Sequence, residues 1–187
     1  MTQTVTGVEL ERHDSETSGR LIDELADLYR AVSPQQEPQA SNPFYSRERF
    51  LDRLANYGRA PGFELVTARD ATGRLVGMLY GYVLPPGARW WSVMQPAPSE
   101  EFAAETGSRT FAIKDMVVAT DWQRRGIARA MHDTVRAAHP DMRFTLTVRP
   151  DNKSAQAAYR SWGYRLVGTQ QPYPDSPVFE TMLLDPS

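Results

Sequence analysis

Apolar and polar residues follow each other along the chain in patterns that predict strands with interleaved helices. Apolar residues at helical spacing predict a helix from Ser18 to Val32 and a shorter one that ends at Gly58. The segments 34–45 and 85–107 carry no periodicity and are predicted to be irregular, with a helical turn near 99–105. Strands are predicted at 4–11, 63–70, 74–84, 110–119, 143–149, 164–168 and 178–184, and two further helices at 125–138 and 153–162.

The order of these elements predicts an α/β or α+β fold. A short connection with glycine between 63–70 and 74–84 predicts an antiparallel hairpin. The strand, helix and strand from 110 to 149 predict a parallel pair joined by a right-handed crossover. The length of 187 residues fits one domain over 1–187. In a crossover unit, ligands bind beyond the carboxyl end of the first strand, where the helix begins.

Composition removes several classes of function. The 21 basic and 23 acidic residues give a net charge of -2, so no positive field favours nucleic acid or an anionic membrane as partner. The absence of cysteine excludes disulfides, thiolate metal sites and a cysteine acyl-enzyme. No pattern of His and carboxylates has metal-ligand spacing, so no metal is expected. With neither a signal peptide nor an apolar run of about 20 residues, we expect a cytoplasmic protein.

The loop after strand 110–119 has the features of an anion site. It reads TDWQRRGIA over 120–128 and leads directly into a helix, whose first N–H groups carry partial positive charge. Gly126 and Ala128 allow phosphate oxygens to approach the main chain closely. Three arginines add charge: Arg124, Arg125 and Arg129. The loop has neither the GK[ST] ending of a P-loop nor the three glycines of the dinucleotide fingerprint. The alternative is that the arginines only form a solvated helix face and that Gly126 only allows a tight start of the helix.

A second candidate segment follows strand 143–149. Asn152 precedes a helix whose apolar face includes Tyr159 and Trp162, and Gly163 is predicted to cap its C-terminus. Both aromatic residues are also compatible with a purely structural role in the core. His132 is predicted to be an exposed surface residue of helix 125–138.

Together these two segments resemble the GNAT superfamily of N-acetyltransferases. The acyl-CoA motif of that family is Gln or Arg, two variable residues, Gly, one variable residue, then Gly or Ala, and Gln123 to Ala128 matches it. Downstream, five residues fall at the family's spacing: Asn152, Ala155, Tyr159, Gly163 and Tyr164. The close resemblance covers 110–168. It departs from the common pattern at Thr120, where many members have proline, and at Lys114, where many have glutamate.

The resemblance implies a GNAT fold: a mixed, mostly antiparallel sheet of about six or seven strands, with strands 4 and 5 splayed and about four helices on both faces. It also implies that acetyl-CoA is the acyl donor and that its diphosphate binds at the loop 123–128. The implied cofactor-binding residues are Met116, Val117, Val118, Gln123, Arg124, Arg125, Gly126, Ile127, Ala128, Arg129, Asn152 and Tyr159.

The resemblance further assigns catalytic roles to three of these residues. A backbone N–H near Val118 would stabilise the oxyanion that forms when an amine attacks the thioester. Tyr159 would protonate the departing thiolate, and Asn152 would hydrogen-bond the cofactor arm or a water molecule. Direct attack, without a covalent enzyme intermediate, agrees with the absence of cysteine. The general base stays open between Asp115, Glu64 and water.

By resemblance, the acceptor site is walled by 34–45 and 85–107. Aromatic residues there either line a slot for an amine or anchor the loops to the core: Phe44, Tyr45, Trp90, Trp91 and Phe102. Three acids of the second segment are placed to attract a cation: Glu100, Glu101 and Glu105.

The predicted function is therefore acetylation of a primary amine of a small molecule, by a monomer or homodimer. Two alternatives stay open. One is a protein or peptide N-terminal acetyltransferase, which needs a groove that admits a main chain. The other is a non-catalytic CoA-binding regulatory module, which needs the phosphate loop and no proton donor.

Overall fold

The computed structural model describes residues 3–5, 7–32 and 40–186, so the part of the first predicted loop at 34–39 lies outside the described residues. The described chain forms two compact units. That the whole chain is one GNAT domain stays a prediction, and each unit is described by itself.

The first unit contains the described residues up to Tyr82 together with Asp115–Ala138. Its strands are β1 (Gln3–Val5), β2 (Val8–His13), β3 (Glu64–Asp70), β4 (Leu75–Val83, which ends in the second unit) and the part of β6 (Thr110–Val118) from Asp115 onward. Its helices are α1 (Ser15–Ser18), α2 (Ile22–Val32), α3 (Arg47–Tyr57) and α5 (Ile127–Ala138). Strands β1 to β4 pair in sequence order and antiparallel, as the predicted hairpin requires.

Helices of the first unit follow from local signals and from an apolar stripe. Ser46 caps α3, since its hydroxyl accepts a hydrogen bond from the N–H of Arg49 at 3.2 Å. In α2 the buried side chains Leu25, Leu28 and Tyr29 recur at helical spacing. Helix α5 packs so closely on β4 that a Cβ at Gly77 would lie 3.2 Å from Met131 Cε and 3.3 Å from Ile127 Cγ2.

The second unit contains Val83–Lys114 and His139 onward. Its elements are β5 (Met94–Gln95), α4 (Glu100–Ala103), the first part of β6, β7 (Arg143–Val148), α6 (Lys153–Ser161), β8 (Arg165–Gln170) and β9 (Phe179–Leu184). The strand order is β6-β7-β9-β8-β5. Among the residues that the structure describes in this unit, β6 and β7 pair parallel, and the neighbours from β7 to β5 pair antiparallel.

The parallel ladder of β6 and β7 is short. It joins Thr110 to Arg143, Phe111 to Phe144 and Ala112 to Thr145, although both strands continue beyond these residues. The predicted fold class, a mixed and mostly antiparallel α/β fold, is confirmed.

Three local predictions need correction. The strand predicted over 4–11 is two strands, because Gly7 turns the chain with φ +80°. The two-residue strand β5 lies inside the segment predicted as irregular. Helix α5 begins at Ile127 and not at Arg125, because Gly126 has φ +81°, which an α-helix does not accommodate.

Candidate active site

The turn between β6 and α5 carries the predicted phosphate site of the first unit. A single 3-10 turn, Thr120–Trp122, follows β6, and Gln123 to Gly126 then lead to α5. Arg124 (φ +60°) and Gly126 (φ +81°) adopt left-handed backbone conformations on either side of Arg125. Such reversals of hand turn successive N–H groups toward one concave side, which is an anion-binding geometry. The first N–H groups of α5 add the positive end of the helix dipole.

Three side chains at this turn and in the first turns of α5 contact other groups of the protein: those of Gln123, Arg125 and Arg129. Gln123 Nε2 donates to the carbonyl of Val118 at 3.0 Å. Arg125 donates to the carbonyl of Asp121 at 3.0 Å, and its guanidinium lies 4.6 Å from the ring centroid of Trp122. Arg129 forms an ion pair with Asp133 one helical turn later. These three side chains are therefore engaged within the protein, whereas the left-handed residues of the turn give its main-chain N–H groups a geometry that suits an anion.

Residues before the turn form the end of β6. Met116 and Val117 are half-buried, and Val118 is buried. The N–H of Ala119 donates to Val76 of β4 at 2.8 Å. Because successive backbone N–H groups of an extended chain point to opposite sides, that of Val118 points away from β4. This orientation is the one required of a donor to a ligand beside β6.

A cavity of about 540 Å³ adjoins the start of the turn in the first unit, between α2 and the strand ends. Its apolar lining includes Leu28 and Ala119, and its rim includes Glu24 and Asp121. Both rim acids form ion pairs, Glu24 with Arg69 at 2.7 Å and Asp121 with Arg74 at 3.0 Å. These pairs lower the pKa of each acid, the largest cause being the hydrogen bond from the arginine.

Asn152 and Tyr159 lie on the same helix of the second unit. Asn152 is the N-cap of α6, and its Oδ1 accepts from the N–H of Ala155 at 3.2 Å and from the hydroxyl of Ser154 at 3.1 Å. Tyr159 is half-buried, with its ring 5.4 Å from Trp162 and 5.8 Å from Tyr164.

The end of α6 fixes the backbone around Tyr159. The N–H of Tyr164 donates to the carbonyl of Tyr159, and that of Gly163 to the carbonyl of Arg160, both at 3.0 Å. This pair of bonds, with Gly163 at φ +98°, is a Schellman cap, which confirms the predicted role of Gly163.

Gln156 supports the same helix and was not predicted. Its side chain is buried, and Nε2 donates to the carbonyls of Arg149 at 3.1 Å and Pro150 at 2.9 Å. It thereby fixes the loop that leads to Asn152. The available signal was a polar residue on the face of α6 that also carries Tyr159.

The two carboxylates considered as general base differ in their surroundings. Glu64 Oε2 accepts a hydrogen bond from Arg12 at 2.7 Å. Asp115 is half-buried and accepts a hydrogen bond from the hydroxyl of Tyr80, a side chain that is completely buried. Burial, followed by the charge of Asp115, raises the pKa of Tyr80 well above its usual value, so this hydroxyl remains a donor.

The paired tryptophans anchor their segment to the core of the second unit. Trp90 Nε1 donates to Thr145 at 3.2 Å, and Trp91 Nε1 donates to Glu105 at 2.7 Å. Both rings are buried. Of the two interpretations left open by the sequence, the anchor is the one that these contacts support. Phe44 and Tyr45 are likewise buried in the first unit.

Glu105 does not attract a cation from solution. Its Oε1 accepts hydrogen bonds from Trp91, Thr110 and Arg143, at 2.7, 2.7 and 2.9 Å. Its side chain is 1% exposed and that of Arg143 is 7% exposed, so the ion pair is internal. Glu100 and Glu101 are exposed.

The structure also corrects the prediction that His132 is an exposed surface residue, because this side chain is completely buried in α5. Its Nδ1 lies 3.3 Å from Asp133. Burial lowers the pKa of His132, an effect that Asp133 partly offsets.

Two features of the described residues bear on other functions. No group of three or more His, Cys, Asp or Glu is arranged there to hold a metal ion. No helix in the described ranges has the length and apolarity to cross a bilayer.

Comparison with solved structures identifies similar folds. A crystal structure from Pyrococcus horikoshii OT3 is 18% identical, with a TM-score of 0.66 over 96% of this chain and 99% of that one. A PaiA N-acetyltransferase from Thermoplasma acidophilum, solved with coenzyme A, is 11% identical, with a TM-score of 0.58 over 95% and 98%. A spermidine N-acetyltransferase SpeG chimera from Vibrio cholerae and hSSAT is 12% identical, with a TM-score of 0.58 over 95% of each chain.

No curated protein sequence matches the chain. The family model for the acetyltransferase (GNAT) family, however, matches residues 22–164, which include the turn before α5, Asn152 and Tyr159. This match covers most of the 187 residues. The chain therefore belongs to the GNAT acetyltransferase family.

Proposed function

We propose that this chain transfers an acetyl group from acetyl-CoA to a primary amine of a small molecule. The observation that carries the proposal is the turn before α5, where left-handed backbone at Arg124 and Gly126 suits main-chain N–H groups to a diphosphate. Membership of the acetyltransferase family supports the reaction class. The coenzyme A complex of the Thermoplasma acidophilum protein supports the donor, and the spermidine N-acetyltransferase chimera supports a small amine as acceptor.

The proposed reaction is direct. The amine nitrogen forms a bond to the thioester carbon, and the carbonyl oxygen becomes an oxyanion that the N–H of Val118 stabilises. The C–S bond then breaks, and the thiolate takes a proton from the Tyr159 hydroxyl, whose unperturbed pKa of about 10 keeps it protonated at neutral pH. An acceptor that arrives as an ammonium group loses two protons. One passes to water before the attack, and the other, lost from the nitrogen after the attack, restores the tyrosine hydroxyl. Asn152, the N-cap of α6, would hydrogen-bond the cofactor arm or a water molecule.

The acceptor class is tested with three kinds of amine: phenethylamine, spermidine and a peptide with a free N-terminus. Release of coenzyme A is measured with a thiol reagent, and the chain itself contributes no background because it has no cysteine. Calorimetry with acetyl-CoA measures donor binding separately. We expect binding of acetyl-CoA and acetylation of at least one small amine.

Other outcomes separate the alternatives. Acetylation of the peptide alone would identify an N-terminal acetyltransferase. Binding of acetyl-CoA without transfer to any amine would indicate a regulatory CoA-binding module. No heat on titration with acetyl-CoA or coenzyme A would contradict the whole proposal.

A further inference from the structure

The proposed acetyl transfer assigns no role to a largely buried polar cluster of the first unit. It consists of Tyr29, Arg53, Tyr80 and Asp115. Tyr80 is 0% exposed and donates its hydroxyl to Asp115 Oδ2, whereas Asp115 itself is half-buried. Asp115 is thus held by a core side chain without being fully buried itself.

Arg53 extends the cluster to the segment before α3. Its Nη1 donates to the carbonyl of Phe44 at 2.8 Å and its Nη2 to the hydroxyl of Tyr29 at 3.0 Å. The guanidinium carbon also lies 4.1 Å from the ring centroid of Phe44. Arg30 of α2 holds the next carbonyl, that of Tyr45, at 2.8 Å. Two arginines therefore fix the backbone of the turn Pro43–Tyr45.

Arg53 and Asp115 also interact through their charges. Burial disfavours the charged guanidinium, but Asp115 and the nearby tyrosines together raise the pKa of Arg53. The two groups are therefore electrostatic partners within the first unit.

Aromatic rings pack around Tyr80, the partner of Asp115. Tyr29 stacks on Phe50 with centroids 4.3 Å apart, and Tyr80 lies 6.3 Å from Phe50 and 6.4 Å from Tyr57. Tyr57 is only half-buried. A carboxylate next to such a group of rings is complementary to an ammonium group on an apolar body.

The charge of Asp115 suits it to binding an ammonium more than to removing its proton. The unperturbed pKa values of an aspartate and a lysine-like amine, about 3.9 and 10.4, differ by more than six units. Glu64, the other carboxylate considered, is already paired with Arg12.

We infer that Asp115 binds the ammonium group of the acceptor amine, and that Tyr80 is a positioning residue whose hydroxyl holds the carboxylate in place. The inference rests on the proposed function, because it concerns the acceptor of that reaction. It makes positive charge on the acceptor the property that the site selects.

The test compares an amine with its isosteric alcohol. The affinities of phenethylamine and 2-phenylethanol are measured from their competitive inhibition of acetyl transfer to the best acceptor of the amine panel. If phenethylamine is itself that acceptor, it is measured as a substrate instead. We expect the wild-type chain to prefer the amine, and Asp115→Asn to reduce this preference about tenfold to a hundredfold, as loss of a charged hydrogen-bond partner does. Affinity for the alcohol and for acetyl-CoA should stay within about twofold.

Two more variants control the interpretation. Asp52→Asn removes an exposed carboxylate of α3 next to Arg53 in sequence and should keep the preference for the amine. Tyr80→Phe keeps the ring and removes only the hydroxyl, so it should lower the preference less than Asp115→Asn does, and it provides a second test if Asp115→Asn fails to fold. A purely structural role of Asp115 would change both affinities together.

Each result has one meaning. An unchanged ratio of amine to alcohol affinity in folded Asp115→Asn or Tyr80→Phe, or a wild-type chain that binds both compounds equally, overturns this inference and leaves the proposed function standing. A wild-type chain that acetylates no amine overturns the proposed function, and this inference with it.

Discussion

Polar groups are exposed in one region of the molecule and buried in another. The first region is the turn Gln123 to Gly126 of the first unit, and the second is the cluster around Glu105 of the second unit. In the turn, all four residues are exposed, and the backbone conformation directs main-chain N–H groups outward. In the cluster, one carboxylate is 1% exposed and accepts hydrogen bonds from Trp91, Thr110 and Arg143.

This contrast separates binding from stability. An exposed turn contributes few packing contacts, so a substitution there changes what the protein binds more than whether it folds. A buried ion pair contributes mainly through the cost of leaving one partner uncompensated, so a substitution there changes the free energy of unfolding. Substitutions in the two regions should therefore have different consequences.

The largest expected effect is on ligand binding at the turn. Gly126→Glu places a negative side chain where the diphosphate is proposed to bind, so we expect no measurable affinity for acetyl-CoA by calorimetry. The fold should persist at some cost in backbone strain, because no heavy atom outside Gly126 and its chain neighbours lies within 4 Å of a Cβ built there.

Gly7→Glu is the matched control for backbone strain. Gly7 has φ +80°, close to the φ of Gly126, and also has open space around its Cβ position. Both variants should lose a similar amount of stability, whereas only Gly126→Glu should lose acetyl-CoA. Normal acetyl-CoA affinity in Gly126→Glu would show that the diphosphate does not bind at this turn.

The second prediction concerns the buried pair. Arg143→Leu leaves Glu105 without its cation in the interior, which should lower the free energy of unfolding by about 3–5 kcal/mol in urea denaturation. Arg165→Leu removes an ion pair whose arginine side chain is 53% exposed, and should cost no more than about 1 kcal/mol. Equal losses in the two variants would mean that the burial of Glu105 has no energetic consequence.

The same contrast explains what the sequence could reveal. The turn is built from residues that are adjacent in the chain, so the motif from Gln123 to Ala128, the strand before it and the helix after it were all predicted. The Glu105 cluster joins residues up to 38 positions apart, and no local pattern indicates that Trp91 and Arg143 meet at one carboxylate. His132 was mispredicted for the same reason, since its burial depends on packing and not on helical spacing alone.

The third prediction concerns turnover. Tyr159→Phe removes only the hydroxyl proposed to protonate the thiolate, so kcat should fall about a hundredfold, the lower end for general acid catalysis, while acetyl-CoA affinity changes little. Tyr173→Phe makes the same chemical change elsewhere in the second unit and should leave kcat unchanged. A large loss of acetyl-CoA affinity with normal kcat in Tyr159→Phe would instead make this residue a binding residue.

The smallest expected effect is a pH dependence of stability that comes from buried groups. Burial lowers the pKa of both His13 and His132 in the folded chain, while the unfolded value stays near 6.5. Below that pH the unfolded chain takes up protons that the folded chain does not. The free energy of unfolding should therefore have its full value above about pH 7 and decrease as the pH is lowered from about 6.5 to 5.

The slope should not exceed about 1.4 kcal/mol per pH unit for each histidine, and urea denaturation across this range measures it. Acids with lowered pKa, such as Asp121 in the turn, lose their contribution only at lower pH, because their unfolded values lie near 4. The window from about pH 6.5 to 5 therefore isolates the buried histidines. His132→Gln should flatten the curve there, and a wild-type stability that rises toward pH 5 would mean that these histidines are not held neutral by burial.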